Sequence, residues 1–217
     1  MRVVRSIAAE RDAPLVAPPE HFRFDERRGQ GICYTGPHRS LDSLDLALRG
    51  GHQVWNAGVA LALVGQLPPG LRPGDAACRA GLATVRHPGR LEHLVDGVWA
   101  DCAHNSDGAE QLAVWLRELP EEERPRTLLL GMSSDKDSRV LVRALAPLME
   151  RVITTHCSHP RALSAGGLAT QLVDLPCAVL PAGPVEEALP LAQQTEGPLL
   201  VAGSVFLVGA VRDLLGK

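Results

Sequence analysis

Lysine is almost missing from this sequence: of 22 basic residues only Lys136 and Lys217 are lysines. Genome composition produces such a bias, so it marks no basic binding surface. Against that background Lys136, flanked by Asp135 and Asp137, reads either as a solvated loop charge or as a functional cation. Long apolar runs are missing too. The longest nearly apolar stretch, Leu199 to Ala210, contains Gly203 and Ser204 and falls short of the ~20 residues of a membrane span. The first residues, MRVVRSIAAERD, lack the apolar core of an export signal. No C-x-x-C pair occurs among Cys33, Cys78, Cys102, Cys157 and Cys177, which points to reduced thiols and a cytoplasmic location. A net charge of −3 and a pI near 6.2 leave no general attraction to a phosphate backbone, and no local basic patch is evident in the sequence, which argues against a nucleic-acid partner. Neither G-x-x-x-x-G-K-[ST] nor G-x-G-x-x-G nor G-x-S-x-G is present, so the phosphate loop, the dinucleotide fingerprint and the hydrolase nucleophile elbow all lack a signal.

What is present suits a folded chain. The 217 residues, 45% hydrophobic and 22% charged, are enough for one complete domain and a remainder. Residues 1–80 show a short helical start at Val3–Arg11, an apolar strand candidate at Pro14–Ala17, hairpin-like stretches around Phe22–Phe24 and Gly31–Tyr34, and a helix at His52–Gly65. In that helix Val54, Val59, Leu61, Leu63 and Val64 sit among alanines, so it should pack on most sides. The Pro/Gly cluster at 66–75 ends it. Residues 81–217 then alternate between strand candidates at 98–101, 127–130, 152–155, 177–180 and 198–202 and helix candidates at 106–118, 137–149, 161–173, 184–194 and 205–215. This pattern predicts an α/β class, with a C-terminal Rossmann-like, mostly parallel sheet and flanking helices.

In such sheets ligands bind outside the carboxyl ends of the strands. There the first strand ends in Asp101-Cys102-Ala103-His104-Asn105 and opens into a helix whose N-terminus favours an anion. The next strands end in Gly131 before Asp135-Lys136-Asp137, in Thr154-Thr155-His156, and in Ala202-Gly203-Ser204. Each also has a plain reading: Asn105, Ser106 and Ser204 are good N-caps, and His156, Cys157 and His159 lack a fourth metal ligand. At the start of the 52–65 helix, His52, Gln53 and Asn56 share one or two turns, and an amide there suits the edge of a planar base. In Pro88-Gly89-Arg90-Leu91-Glu92 an arginine follows a tight turn, where a guanidinium fork suits phosphate and a surface position is the alternative.

Taken in order, GGHQVWNAGVALAL, HPGRLE, DCAHNSDGAEQL, the G…DKD stretch and VAGSVFLVG resemble the folylpolyglutamate synthase/dihydrofolate synthase branch of the Mur ligase family. The resemblance runs from about residue 3 to 215 but matches only the later part of the family's length. The family's G-T-N-G-K-G-S phosphate loop has no counterpart before Met1. Residues 1–80 would then be the tail of the central ATPase domain and 81–217 the C-terminal ligase domain, a fragment or a shortened relative. The resemblance implies ATP-dependent addition of L-glutamate to a folate or dihydropteroate carboxylate through an acyl phosphate. ATP and Mg would serve the complete enzyme, with none bound by this chain alone. It implies Asn56 at adenine, Arg90 and Asp101 at the ribose or phosphates, His104 near the terminal phosphate and the incoming glutamate, and Ser204 at the glutamate carboxylates. Two departures stand out: Cys102 replaces a glycine of D-G-A-H-N, and Val205-Phe206 replaces L-Y after Ser204. The chain would be inactive alone, completed by a separate N-terminal half, or prone to self-association. The competing readings are a non-catalytic module that binds a glutamate-like ligand or a protein, and a fragment of a cell-wall Mur ligase.

Overall fold

The helical period of the first residues folds as α1 (Arg2–Glu10). Three polar-rich segments that alternate apolar side chains onto one face form β1 (Arg23–Arg27), β2 (Gly31–Gly36) and β3 (Arg39–Leu44), an antiparallel sheet in the order β1-β2-β3. The expected strand at Pro14–Ala17 does not form. Pro14 and the tandem Pro18-Pro19 offer no N–H to a ladder, and Ala17 uses its own groups in a turn, its carbonyl accepting from the His21 N–H at 3.0 Å. Helix α2 (Gly51–Gly65) packs Ala57, Leu61 and Ala62 into a core with Phe22, Phe24, Tyr34, Leu41 and Leu44. It is not packed on most sides as its composition suggested: Trp55, Val59 and Leu63, one turn apart in succession, are 52%, 36% and 65% exposed. Helix α3 (Asp75–Thr84) was not expected, because its alanines and glycine carry little periodic signal. Its Leu82 carbonyl accepts from the Ala47 N–H at 2.9 Å, and the first compact unit runs to Arg86. The computed structural model describes residues 1–27 and 31–217, in two compact units, Met1–Arg86 and His87–Lys217.

The second unit is the predicted α/β layer structure. Strands β4 (Glu92–Val95), β5 (Val98–Asp101), β6 (Thr127–Leu130), β7 (Arg151–His156), β8 (Ala178–Pro184) and β9 (Leu199–Ala202) lie in the order β4-β5-β9-β6-β7-β8. Every pairing is parallel except that of β4 with β5. The antiparallel edge strand β4 was missed, being four residues of mixed polarity joined to β5 by a tight turn. The last strand of the chain, β9, enters the middle, its Leu199 to Ala202 pairing with Val98 to Asp101 on one side and Thr127 to Leu130 on the other.

Because successive strand residues face opposite ways, the apolar runs feed two cores. Leu128, Leu130, Val152, Leu200 and Ala202 join Leu112, Leu116, Leu141, Leu145 and Leu168 on one face, from α4 (Ser106–Glu118), α5 (Ser138–Leu145) and α6 (Ala165–Thr170). Leu129, Ile153, Leu199 and Val201 join Val185, Leu189, Leu207 and Val211 on the other, from α7 (Val185–Gln193) and α8 (Val205–Leu214). The helix expected over 161–173 contracts to α6, since 161–163 instead bond to the loop after β6, with Ser134 N–H to the Arg161 carbonyl at 2.8 Å and Leu163 N–H to the Met132 carbonyl at 2.9 Å.

Leu129→Ala should lower stability by about 2–5 kcal/mol through an unfilled cavity, whereas Leu63→Ala should stay within about 0.5 kcal/mol. Urea unfolding of the two variants checks the contrast, and equal losses would place Leu63 in a packed interface.

Candidate functional site

The carboxyl end of β5 and the turn before β4 form one built corner. Asp101 is buried, and both its oxygens accept backbone N–H groups: Oδ2 from Leu91 at 2.9 Å and Oδ1 from Ala103 at 2.8 Å. Around it the Cys102 N–H donates to the Gly89 carbonyl at 2.8 Å, and the Gly89 N–H donates to Glu92 Oε2 at 2.8 Å. Glu92 is held in turn by the Arg212 guanidinium of α8. Gly89 has φ +69°, and a Cβ there would lie 2.4 Å from the Cys102 sulfur, so only glycine fits this turn. Arg90, between these anchored residues, is exposed, and among the described residues no acceptor meets its side chain.

His104 follows on the same corner. Its Nδ1 lies 2.8 Å from the Cys102 carbonyl, which can only accept, so Nδ1 carries a proton and in the neutral ring Nε2 is the nitrogen with the lone pair. Asn105 caps α4, its Oδ1 accepting from the Gly108 N–H at 2.8 Å, so the plain reading of Asn105 holds. The Gly203 N–H donates to the Ala103 carbonyl at 2.9 Å and joins the corner to the end of β9. There Ser204 caps α8, its Oγ accepting from the Phe206 N–H at 3.2 Å. Ser204 also lines a narrow cleft at the ends of β6, β7 and β9 with Ser133, His156 and His159, and the His159 ring stacks on Phe206 with centroids 3.7 Å apart. Among the described residues no group of three or more His, Cys, Asp or Glu side chains converges to hold a metal.

In the first unit, Asn56 ends a short amide relay on α2. Its Nδ2 donates to Gln53 Oε1 at 3.0 Å, and Gln53 Nε2 lies 3.0 Å from His52 Nε2. Gln53 is buried and Asn56 exposed. The relay fixes which way the Asn56 amide is turned and leaves its carbonyl oxygen as an acceptor.

No family model matches the chain. A dihydrofolate synthase/folylpolyglutamate synthase of Mycobacterium tuberculosis is 31% identical over 247 residues, an alignment that covers 100% of this chain and 50% of that protein. The solved M. tuberculosis folylpolyglutamate synthase complexed with ADP and AMPPCP is similar with a TM-score of 0.80 at 30% identity, covering 100% of this chain and 53% of that one. A bifunctional folylpolyglutamate synthase/dihydrofolate synthase of Yersinia pestis, complexed with AMPPNP and Mn ion, gives a TM-score of 0.80 at 25% identity over 100% of this chain and 51% of its own. The chain belongs to the folylpolyglutamate/dihydrofolate synthase family. It spans about half the length of these relatives and corresponds to their C-terminal part.

Of the residues singled out in sequence, the structure joins Arg90, Asp101 and His104 on one corner and ties Ser204 to it through β9, while Asn56 belongs to the other unit. Glu92, Arg212 and Gln53 were missed as positioning groups. Glu92 stands inside the HPGRLE motif and Gln53 beside Asn56, but no local signal pairs Glu92 with Arg212, 120 residues away. Cys102, where the family's motif has glycine, is not among the residues with positive φ, so the corner does not require glycine there. Burial pushes the Cys102 thiol up to about 11, Asp101 and Glu92 adding to the rise while Arg90 and Arg212 oppose it.

Two outcomes follow. Asp101→Asn gives one of two backbone donors an N–H in place of an acceptor and should cost about 1–3 kcal/mol, read from unfolding midpoints; no change would remove Asp101 from its clamping role. The Cys102 proton is held in the fold from pH 9 to about 11, where an unfolded thiol has lost it. Its contribution to stability is therefore complete below pH 9 and lost as pH rises through 11. Cys102→Ala should flatten that decline in a pH series of urea melts, and parallel curves for the two proteins would contradict the assignment.

Proposed function

We propose that this chain supplies the amino-acid side and part of the nucleotide contacts of an ATP-dependent ligase that adds L-glutamate to a folate or dihydropteroate carboxylate. The observation that carries the reading is the corner itself: the exposed guanidinium of Arg90, which meets no acceptor among the described residues, presented by a turn clamped to Asp101, beside an imidazole whose Nε2 is open in the neutral ring. The 31% identity over the whole chain to a folate enzyme supports the substrate class and favours it over a cell-wall ligase.

ATP supplies the phosphoryl group that activates the carboxylate for attack by the glutamate amine. Residues of this chain fit parts of that nucleotide: the exposed Arg90 fork suits phosphate or ribose oxygens, and the oriented Asn56 amide suits the adenine edge. Asp101, bonded to two backbone amides, acts chiefly by holding the Arg90 turn and the His104 loop. Metal ligands for Mg are not assigned to this chain, since its described residues hold no cluster for one.

His104, with its proton on Nδ1, offers Nε2 as an acceptor near the reacting groups and would take up or orient a proton of the incoming amine. Ser204 keeps its hydroxyl hydrogen available while its oxygen caps α8, and this donor suits a glutamate carboxylate. Catalysis of this kind rests on positioning and charge compensation. The domain assignment, residues 1–80 as the tail of the ATPase domain and 81–217 as the ligase domain, is part of the same proposal.

The test supplies the other half of the M. tuberculosis relative as a separate polypeptide with ATP, Mg, dihydropteroate or a reduced folate, and glutamate, and follows ADP release. The 217-residue chain alone should give none, and the pair should turn over. His104→Ala should cut turnover by about 10²-fold, and Arg90→Lys should raise the KM for ATP. Turnover by the chain alone, or an unaffected His104→Ala pair, would refute these roles. A pair that never turns over favours a non-catalytic module.

A further inference from the structure

A cavity of about 180 Å³ lies on the flank of the second unit, between α5 and the segment that links α6 to β8. None of its lining residues belongs to the corner or to the cleft at Ser204. Arg139 and Arg143, one turn apart on α5, stand along one side, and Asp174 lies in the wall with Gln171, Leu172 and Leu175. At its edge the buried Ser138 hydroxyl donates to Gln171 Oε1 at 2.6 Å, which joins the start of α5 to the end of α6 and sets the spacing of the walls.

The two arginines are unlike their neighbours. Arg126 and Arg151 meet Glu150, Arg161 meets Asp135, and Arg212 meets Glu92. No carboxylate or carbonyl of the described residues meets the side chain of Arg139 or Arg143. Residues four apart on a helix have Cβ atoms about 5–6 Å from one another, so two guanidinium groups on their flexible stems can reach a pair of acid groups set meta on one ring. The volume suits that ring: a cavity of about 150 Å³ lined by apolar side chains holds a benzene.

We propose that this cavity is a second ligand site of the chain, for a small aromatic or similarly flat dianion whose acid groups meet Arg139 and Arg143 and whose body lies against Leu172 and Leu175. Asp174 is the opposing charge, so it disfavours a ligand that is anionic on every side and selects one with its charge turned toward α5. Nothing in the ligase reading assigns these residues, and the site stands or falls without it.

Isophthalate, and its neutral diamide isophthalamide as the control, are titrated calorimetrically into the full chain at low salt. Isophthalate should bind saturably and the diamide should not. Arg139→Gln and Arg143→Gln should each weaken isophthalate by about 5-fold or more through lost charge-assisted hydrogen bonds. Asp174→Asn should strengthen it, and Arg117→Gln, an exposed arginine of α4, should leave it unchanged. All four positions are exposed, and matching thermal melts confirm that the variants fold. Absence of saturable binding, equal binding of the diamide, or wild-type affinity in both arginine variants would overturn the site.

Discussion

The corner of the second unit depends on the Asp101 carboxylate, whose two oxygens take the N–H groups of Leu91 and Ala103. Each bond to a buried charge contributes about 1.5–3 kcal/mol, and here the two bonds do a geometric task. The turn before β4 contains two residues with positive φ, Gly89 at 69° and Leu91 at 44°. For a leucine that conformation costs about 1–3 kcal/mol. It is offset where the strained residue has the most to gain, since Leu91 is 3% exposed and its N–H meets a carboxylate. The residue between them, Arg90, therefore leaves the turn in an imposed direction. A guanidinium presented in this way loses less freedom on meeting an anion than one on a mobile loop.

The rest of the unit keeps that corner in place because the chain's last strand is its central one. β9 pairs with β5 and β6 over four residues each, and the loop after it donates from Gly203 to the Ala103 carbonyl. Gly203 has φ +108°, and a Cβ there would come within 2.7 Å of the Gly131 carbonyl oxygen. Three strand ends thus meet with no room for a side chain between them. Contacts this distant in sequence form late. The corner is complete only when α8 follows β9 and brings Arg212 to Glu92, whose other oxygen holds Gly89.

The regular parts of the fold were legible because their causes are local. Alternating strands and helices, the caps at Asn105 and Ser204, and the 3.6-residue stripe of α4 all follow from neighbours within a few positions. The unread or misread elements lack such signals. β4 is four residues of mixed polarity, β3 is short and half polar, and α3 is built of small residues. Pro14–Ala17 has the polarity of a strand but sits among prolines. The 52–65 helix is apolar nearly all round, so periodicity could not distinguish the face against Phe24 and Tyr34 from the exposed Trp55, Val59 and Leu63. At the candidate site, residue types marked loops at the strand ends but not the bonds made there. The bond that the Leu91 N–H makes to Asp101 joins residues ten positions apart and has no local signal. Cys102 reads as an intrusion on a glycine until its φ is known to be ordinary.

That substitution shows how the site keeps its electrostatics. The proton on His104 is set by the carbonyl of residue 102, not by its side chain, so exchanging glycine for cysteine leaves the imidazole tautomer alone. The added thiol lies against Gly89, and burial beside Asp101 keeps it neutral well above physiological pH, so no new anion faces Arg90 or His104. Of the four charged groups about the turn, Arg212 and Glu92 neutralise one another and Asp101 is bonded to the backbone. Arg90 is left exposed in a turn built to hold it still, balanced in charge by the buried Asp101 carboxylate that faces the backbone, and a corner that turns a guanidinium outward beside an imidazole is suited to an anionic group next to a proton-bearing one.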